Sequence, residues 1–251
     1  LEGIRSVSAI SDAEGRPDIS DWIHAEAMHG RAGSLAAAAL ERRGAAFAQT
    51  ALYAACVDGD EATMRKALAR MCAPAAGKVD CVPTSGPDLL AVAGILHSCG
   101  RWKEAADHAM RFLAVEKSKL DDMSQAARIA VQSRAMSGGQ NPLKNEAVDA
   151  LTDDRIVRAS LRVAVAEASG QTDMAIRGWD EAGTLNQTSS RIALEAIRKR
   201  LDSGAPDAAG KAVAIVARLA FPGEIYADVF KLFMESFRFG QAGEFLDLVK
   251  D

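Results

Sequence analysis

At 251 residues the chain has room for one long repeat array or two compact domains. Its hydrophobic content of 49% is supplied largely by alanine, aromatics make up 5%, and β-branched alternation is nearly absent, which points to an all-α protein of closely packed helices. The net charge of −4 weighs against a phosphate-binding surface, and no apolar run reaches the roughly 18 residues a transmembrane helix needs.

Residues 1–19 are mixed in character, hold Gly3, Gly15 and Pro17, and read as an N-terminal arm. A helix is predicted over Ser20–Met28, with Ser20 as its cap and Trp22 and Ile23 as anchors for the arm. His24 and His29 are five apart, so they do not share a helix face and do not form a metal pair. Gly30–Gly33 breaks the chain before an alanine-rich helix over Ser34–Arg43. Ala45–Val57 is the first clean leading helix of a hairpin, and Glu61–Met71 is its partner, with Met64, Leu68 and Met71 inward. Residues 72–86 (CAPAAGKVDCVPTSG) are the clearest loop, punctuated by Pro74, Gly77 and Pro83.

The stretch Leu89–Leu113 is the most regular. Leu89, Val92, Ala93 and Leu96 fall at i, i+3, i+4 and i+7, one face of a helix. Gly100 supplies the turn, where a positive φ carries no Cβ penalty. Trp102, Ala105, Ala106, Ala109 and Leu113 then form a second apolar stripe, while Lys103, Glu104, Asp107 and Arg111 stay on the wet side. With Ala93 in mid helix, Gly100 before the turn, Trp102 just after it and Ala105 early in the second helix, this hairpin resembles a tetratricopeptide repeat. The later positions Ala109 and Phe112 and the missing proline depart from the pattern of that family.

Glycines expected before a turn recur at Gly59, Gly100, Gly139, Gly170, Gly204 and Gly240, between 31 and 41 residues apart. Such a period is the mark of stacked helix pairs. The later pairs are predicted at Leu120–Met136 with Leu143–Thr152, Asp154–Ser169 with Thr172–Ala182, Ser189–Ser203 with Pro206–Phe221, and Glu224–Phe239 with Ala242–Lys250. Ala175, Trp179 and Ala182 repeat the resemblance after Gly170. In the final pair Phe230, Phe233 and Phe237 share a helix face, and six of the eight phenylalanines follow residue 220.

Candidate sites are few. Cys56, Cys72, Cys81 and Cys99 contain no C-x-x-C pair, which argues against a zinc ribbon or a thioredoxin-type motif. Cys56 and Cys99 read as small core residues. Cys72 and Cys81 bracket the loop and are the candidate disulfide, with two free thiols as the alternative. His97, Cys99 and His108 surround one turn but match no standard metal spacing. No nucleophile elbow, P-loop, zinc-protease or dinucleotide motif is present. Asp121–Asp122 and Asp153–Asp154 sit at helix starts, where carboxylates favour the dipole. Arg198-Lys199-Arg200 spreads around a helix and cannot form one flat patch. Phe239 and Phe245 are the candidate partner surface at the uncovered end of the array, with core packing of the last hairpin as the competing reading.

These features predict an all-α fold, a right-handed α-α solenoid of about five to six stacked helical hairpins, as a single helical-repeat domain over residues 20–251. The resemblance implies a non-enzymatic scaffold or adaptor, or a structural subunit of a larger assembly. It would bind a protein or peptide in its concave groove or at its C-terminal end, without catalytic residues, cofactor or metal. One alternative is an RNA-binding repeat of the pentatricopeptide kind, which the acidic balance disfavours. Another is a compact helical bundle with a pocket between helices, acting as a regulator or enzyme. The non-Met start and the Cys72/Cys81 loop lean toward a mature exported or organelle-imported chain, with a cytoplasmic one as the alternative.

Overall fold

Alanine-rich segments punctuated by glycine fold as thirteen α-helices among the described residues. Of these residues 76% are helical and none is in a strand. The computed structural model describes residues 26, 29–42, 44–71, 86–117 and 119–250. The expected arm 1–19, most of the helix 20–28 with Trp22, Ile23 and His24, and the loop carrying Cys72 and Cys81 lie outside them. In chain order the helices are α1 (Ala32–Leu40), α2 (Ala45–Asp58), α3 (Glu61–Met71), α4 (Gly86–Ser98), α5 (Trp102–Val115) and α6 (Leu120–Met136). There follow α7 (Asn145–Asp149), α8 (Arg155–Ala168), α9 (Thr172–Leu185), α10 (Ser190–Asp202), α11 (Ala208–Val216), a 3-10 turn Pro222–Ile225, α12 (Tyr226–Glu235) and α13 (Phe239–Leu248).

The turns share one chemistry. Gly59, Gly100, Gly138, Gly170 and Gly204 all take φ between 68° and 78°. After α4, the Gly100 N–H donates to the His97 carbonyl and the Arg101 N–H to the Leu96 carbonyl, so two helix-end carbonyls that would otherwise be orphaned are satisfied. The same double bond closes the turns at Gly59, Gly138 and Gly170. Two expected turn glycines are displaced. At the end of α6 the left-handed residue is Gly138, not Gly139, because the backbone N–H of Gly139 makes the outer bond of the pair, to Arg134. Gly240 lies inside α13. The last turn is made by Phe237, whose φ is 55°, with its N–H on the Met234 carbonyl and the Arg238 N–H on the Phe233 carbonyl.

The described chain forms two compact units, which we take separately. The first comprises the described residues up to Glu116 together with Gln132–Gln140. Here α1 packs on α2, α2 on α3, and α4 on α5, and α2 also meets α4. The predicted stripes are its core: Leu89, Val92, Ala93 and Leu96 face inward from α4, and Ala105, Ala106, Ala109 and Leu113 from α5. A core this rich in alanine holds by close approach of helix axes rather than by bulky side chains.

The second unit comprises Lys117–Val131 and the residues from Asn141 on. Its pairs are α8 with α9, α9 with α10, α10 with α11, and α12 with α13, with further packing of α10 on α12, α9 on α11 and α11 on α13. Two glycines set how closely α9 sits. A Cβ on Gly178 would lie 2.7 Å from Val163 Cγ2, and one on Gly183 would lie 2.9 Å from the Ala196 Cβ. Farther along, Ile197, Leu201, Ile215, Val229, Phe233 and Phe245 belong to one continuous apolar cluster. The predicted helix Leu143–Thr152 contracts to the five residues of α7, with Leu143 buried ahead of it. The predicted Pro206–Phe221 contracts to α11, because the chain leaves it to bond the Gln187 carbonyl from Ala220 and then meets Pro222.

Candidate functional site

Within the second unit, α6, α8 and α10 line one elongated groove. Its deeper part, about 620 Å³, is walled by Asp121, Gln125 and Arg128 of α6, Ser160 and Glu167 of α8, and Arg191, Glu195 and Lys199 of α10, with Trp179 reaching in from α9. A second part, about 610 Å³, continues from the shared residues Leu120, Asp121, Arg191 and Ile192 toward Asp154 and Asn186. These helices start where the chain can cap them. The Asp154 carboxylate accepts from the Ile156 and Val157 N–H groups at the head of α8, and the Ser189 hydroxyl accepts from Ile192 at the head of α10. Asn186, almost wholly buried, accepts from Thr188 and Ser189 and donates to the Ser189 carbonyl, fixing the bend between α9 and α10.

The groove's charges are laced together. Glu167 accepts from Trp179 Nε1 at 3.0 Å and pairs with Lys199 at 3.1 Å and Arg128 at 3.3 Å. Burial alone would push its carboxyl up; the Trp179 and Lys199 hydrogen bonds and the charges of Lys199 and Arg128 outweigh this and hold it below the ordinary glutamate range. Asp121 and Arg191 form an exposed pair linking α6 to α10. Three cations face three carboxylates in the deeper part, and over both parts five carboxylates face four cations. In its wall, Ser160 is 8% exposed, and its hydroxyl has no hydrogen-bond partner. A buried hydroxyl without a partner costs free energy.

The residues singled out from the sequence fall in several places. Arg198, Lys199 and Arg200 spread as expected: Arg198 and Lys199 meet Glu195, Lys199 also meets Glu167, and Arg200 is held between Asp180 and Asp207. His97, Cys99 and His108 turn to separate neighbours. His97 Nδ1 is 2.8 Å from the Ser133 hydroxyl, His108 Nδ1 is 2.9 Å from the Glu104 carbonyl, and Cys99 meets Cys56. Among the described residues no group of three or more His, Cys, Asp or Glu side chains is placed to hold a metal ion. Cys56 and Cys99, expected as core, are only half-buried. Phe239 and Phe245 part company: Phe239 is 57% exposed, whereas Phe245 is fully buried and stacks on Phe233 at 5.6 Å. Phe245 is therefore a core residue, and the ring beside Phe239 on the surface is Phe237, at 6.2 Å and edge-on.

Sequence reasoning missed the groove. Asp121, Asp154 and Lys199 are legible in the sequence only within their own helices, and the groove joins residues of separate helices. No helix of the described residues is long and apolar enough to cross a membrane. No family model matches the chain, and neither a curated protein nor a solved structure matches it.

Proposed function

We propose that the protein is a non-enzymatic, tetratricopeptide-like helical scaffold, its hairpins stacked as a right-handed solenoid, that binds an extended peptide segment of a partner protein along the α6–α8–α10 groove. The observation that carries this reading is the lining. Successive leading helices present charges of both signs, and α9 adds an indole, along a groove whose two parts share Leu120, Asp121, Arg191 and Ile192. An extended peptide offers what such a wall takes: backbone N–H and C=O groups at regular intervals, with side chains of either charge. Packing of leading helix on leading helix (α2 on α4, α10 on α12) and of returning helix on returning helix (α9 on α11, α11 on α13) supports a solenoid.

The test is co-purification from the native source with mass spectrometry, comparing the unaltered protein with Arg128→Glu and Lys199→Glu. Both variants are expected to lose the same partner while keeping the helical circular dichroism signal. Lys231→Glu, on the exposed face of α12, is expected to keep it. A partner kept by both groove variants and lost with Phe239→Ser would move the binding site to the C-terminal hairpin.

A further inference from the structure

Cys56 lies in the last turn of α2 and Cys99 immediately follows α4, and these two helices pack on each other. Their carboxyl-terminal ends therefore lie side by side, a juxtaposition reinforced by Arg101, which reaches across to Glu61 at the start of α3 and also grips Glu104 of α5 at 2.7 Å. In this cluster the Cys99 S–H donates to the Cys56 sulfur. Both thiols are half-buried, so neither is sealed in the core. Forty-two residues separate them in sequence, which is why their pairing is invisible there.

We propose that Cys56 and Cys99 form a reversible dithiol–disulfide couple that is closed by exchange with a small-molecule disulfide of the glutathione class, locking α2 to α4. The Cys56 thiolate attacks one sulfur of the reagent, whose S–S bond breaks and releases one thiolate. Cys99 then gives its proton to water, and its thiolate attacks the Cys56 sulfur, expelling the second thiolate. The net exchange turns protein dithiol and reagent disulfide into protein disulfide and two small thiols. Two electrons pass to the reagent.

The surroundings assign the order. The hydrogen bond from Cys99 favours the Cys56 thiolate and outweighs its burial, with Arg101 helping and Glu104 and Glu61 opposing. The same bond, with burial and the Cys56 charge, pushes Cys99 up. When Cys56 enters the mixed disulfide, the bond to its thiolate and its charge both vanish. Burial and Arg101 then remain to act on Cys99, which is freed to resolve the intermediate.

The experiment uses the full chain carrying Cys72→Ser and Cys81→Ser, so that two thiols remain. It is treated with oxidised glutathione, alkylated, and weighed intact and as peptides. The expected product is a bridged Cys56–Cys99 peptide, with both alkylation sites lost together. Adding Cys99→Ser is expected to stall the reaction as a glutathione adduct on Cys56. Adding Cys56→Ser is expected to slow modification of Cys99 by about tenfold or more. Independent adducts on both cysteines, or two thiols that stay alkylatable throughout, would overturn the couple; equal rates for the two single variants would overturn the assigned order and with it the mechanism. Alanine replacements at the same positions serve wherever a serine variant loses helical signal.

Discussion

The hairpin α8–α9 and the last hairpin, α12–α13, have the same plan and close it in opposite ways. In α8–α9 the turn is Gly170, with φ of 68°, and the interface is made by absence: Gly178 lets α9 lie against the Val163 backbone and side chain. In α12–α13 the turn is Phe237, with φ of 55°, and the interface is filled by Phe233 stacked on Phe245, with Tyr226 edge-on to Phe245. One hairpin sets a glycine against the facing helix with no room for a methyl; the other inserts rings. The contrast shows that a helical pair is specified by matched volume across the interface, and that a small residue and a large one serve equally when the opposite helix agrees.

The contrast is broken most severely at Phe245. Phe245→Ala is expected to cost about 3–5 kcal/mol in urea unfolding of the second unit, as a buried ring is removed and its space cannot fully collapse. A loss under 1 kcal/mol would mean that the last hairpin does not depend on its rings. Next comes the glycine interface. Gly178→Ala is expected to cost about 1–3 kcal/mol, because the new methyl meets a β-branched side chain that has little room to turn. Its counterpart, Gly243→Ala on α13, meets nothing within 4 Å and is expected to stabilise by about 0.5–1 kcal/mol. The two alanines should therefore differ in sign, and equal effects would refute the close approach of α8 and α9.

A smaller effect sharpens the turns. Phe237 is 80% exposed and sits in a conformation that side chains other than glycine rarely adopt. Phe237→Gly is expected to raise stability by about 1 kcal/mol, and Gly170→Ala to lower it by about the same amount. If Phe237→Gly is destabilising, the ring contact with Phe239 outweighs the backbone strain. The smallest effect concerns pH. The Glu167 carboxyl is held below the ordinary glutamate value, so its contribution is fully present above that value and is lost as pH falls through the depressed one. Glu167→Gln is expected to flatten the acid limb of the urea midpoint against pH. An unchanged limb would show that the Trp179, Lys199 and Arg128 interactions do not persist in solution.

Much of the local structure was legible. The i, i+3, i+4 spacing of Leu89, Val92, Ala93 and Leu96 reports a buried face because helical geometry leaves no other arrangement for it. Gly59, Gly100, Gly170 and Gly204 mark turns because they alone accept positive φ without strain. The last turn escaped this logic: Phe237 takes the positive φ where a glycine is expected, closed by the local bonds to the Met234 and Phe233 carbonyls, so a glycine search passes on to Gly240. The pairing of Phe239 with Phe245 failed for a related reason. Helical spacing says which residues share a face but not which face is covered, and Phe245 is covered by Phe233.

What the sequence determined by itself is therefore the all-α class, the hairpin rhythm and most of the buried stripes, all of which are set by contacts within a few residues. Only the tertiary structure decided that Cys56 meets Cys99, that Ser160 is buried without a partner, and that charges from α6, α8 and α10 share a groove. Each of these joins residues from different helices, and the distance between helices depends on the volume of every side chain between them, which no periodicity encodes.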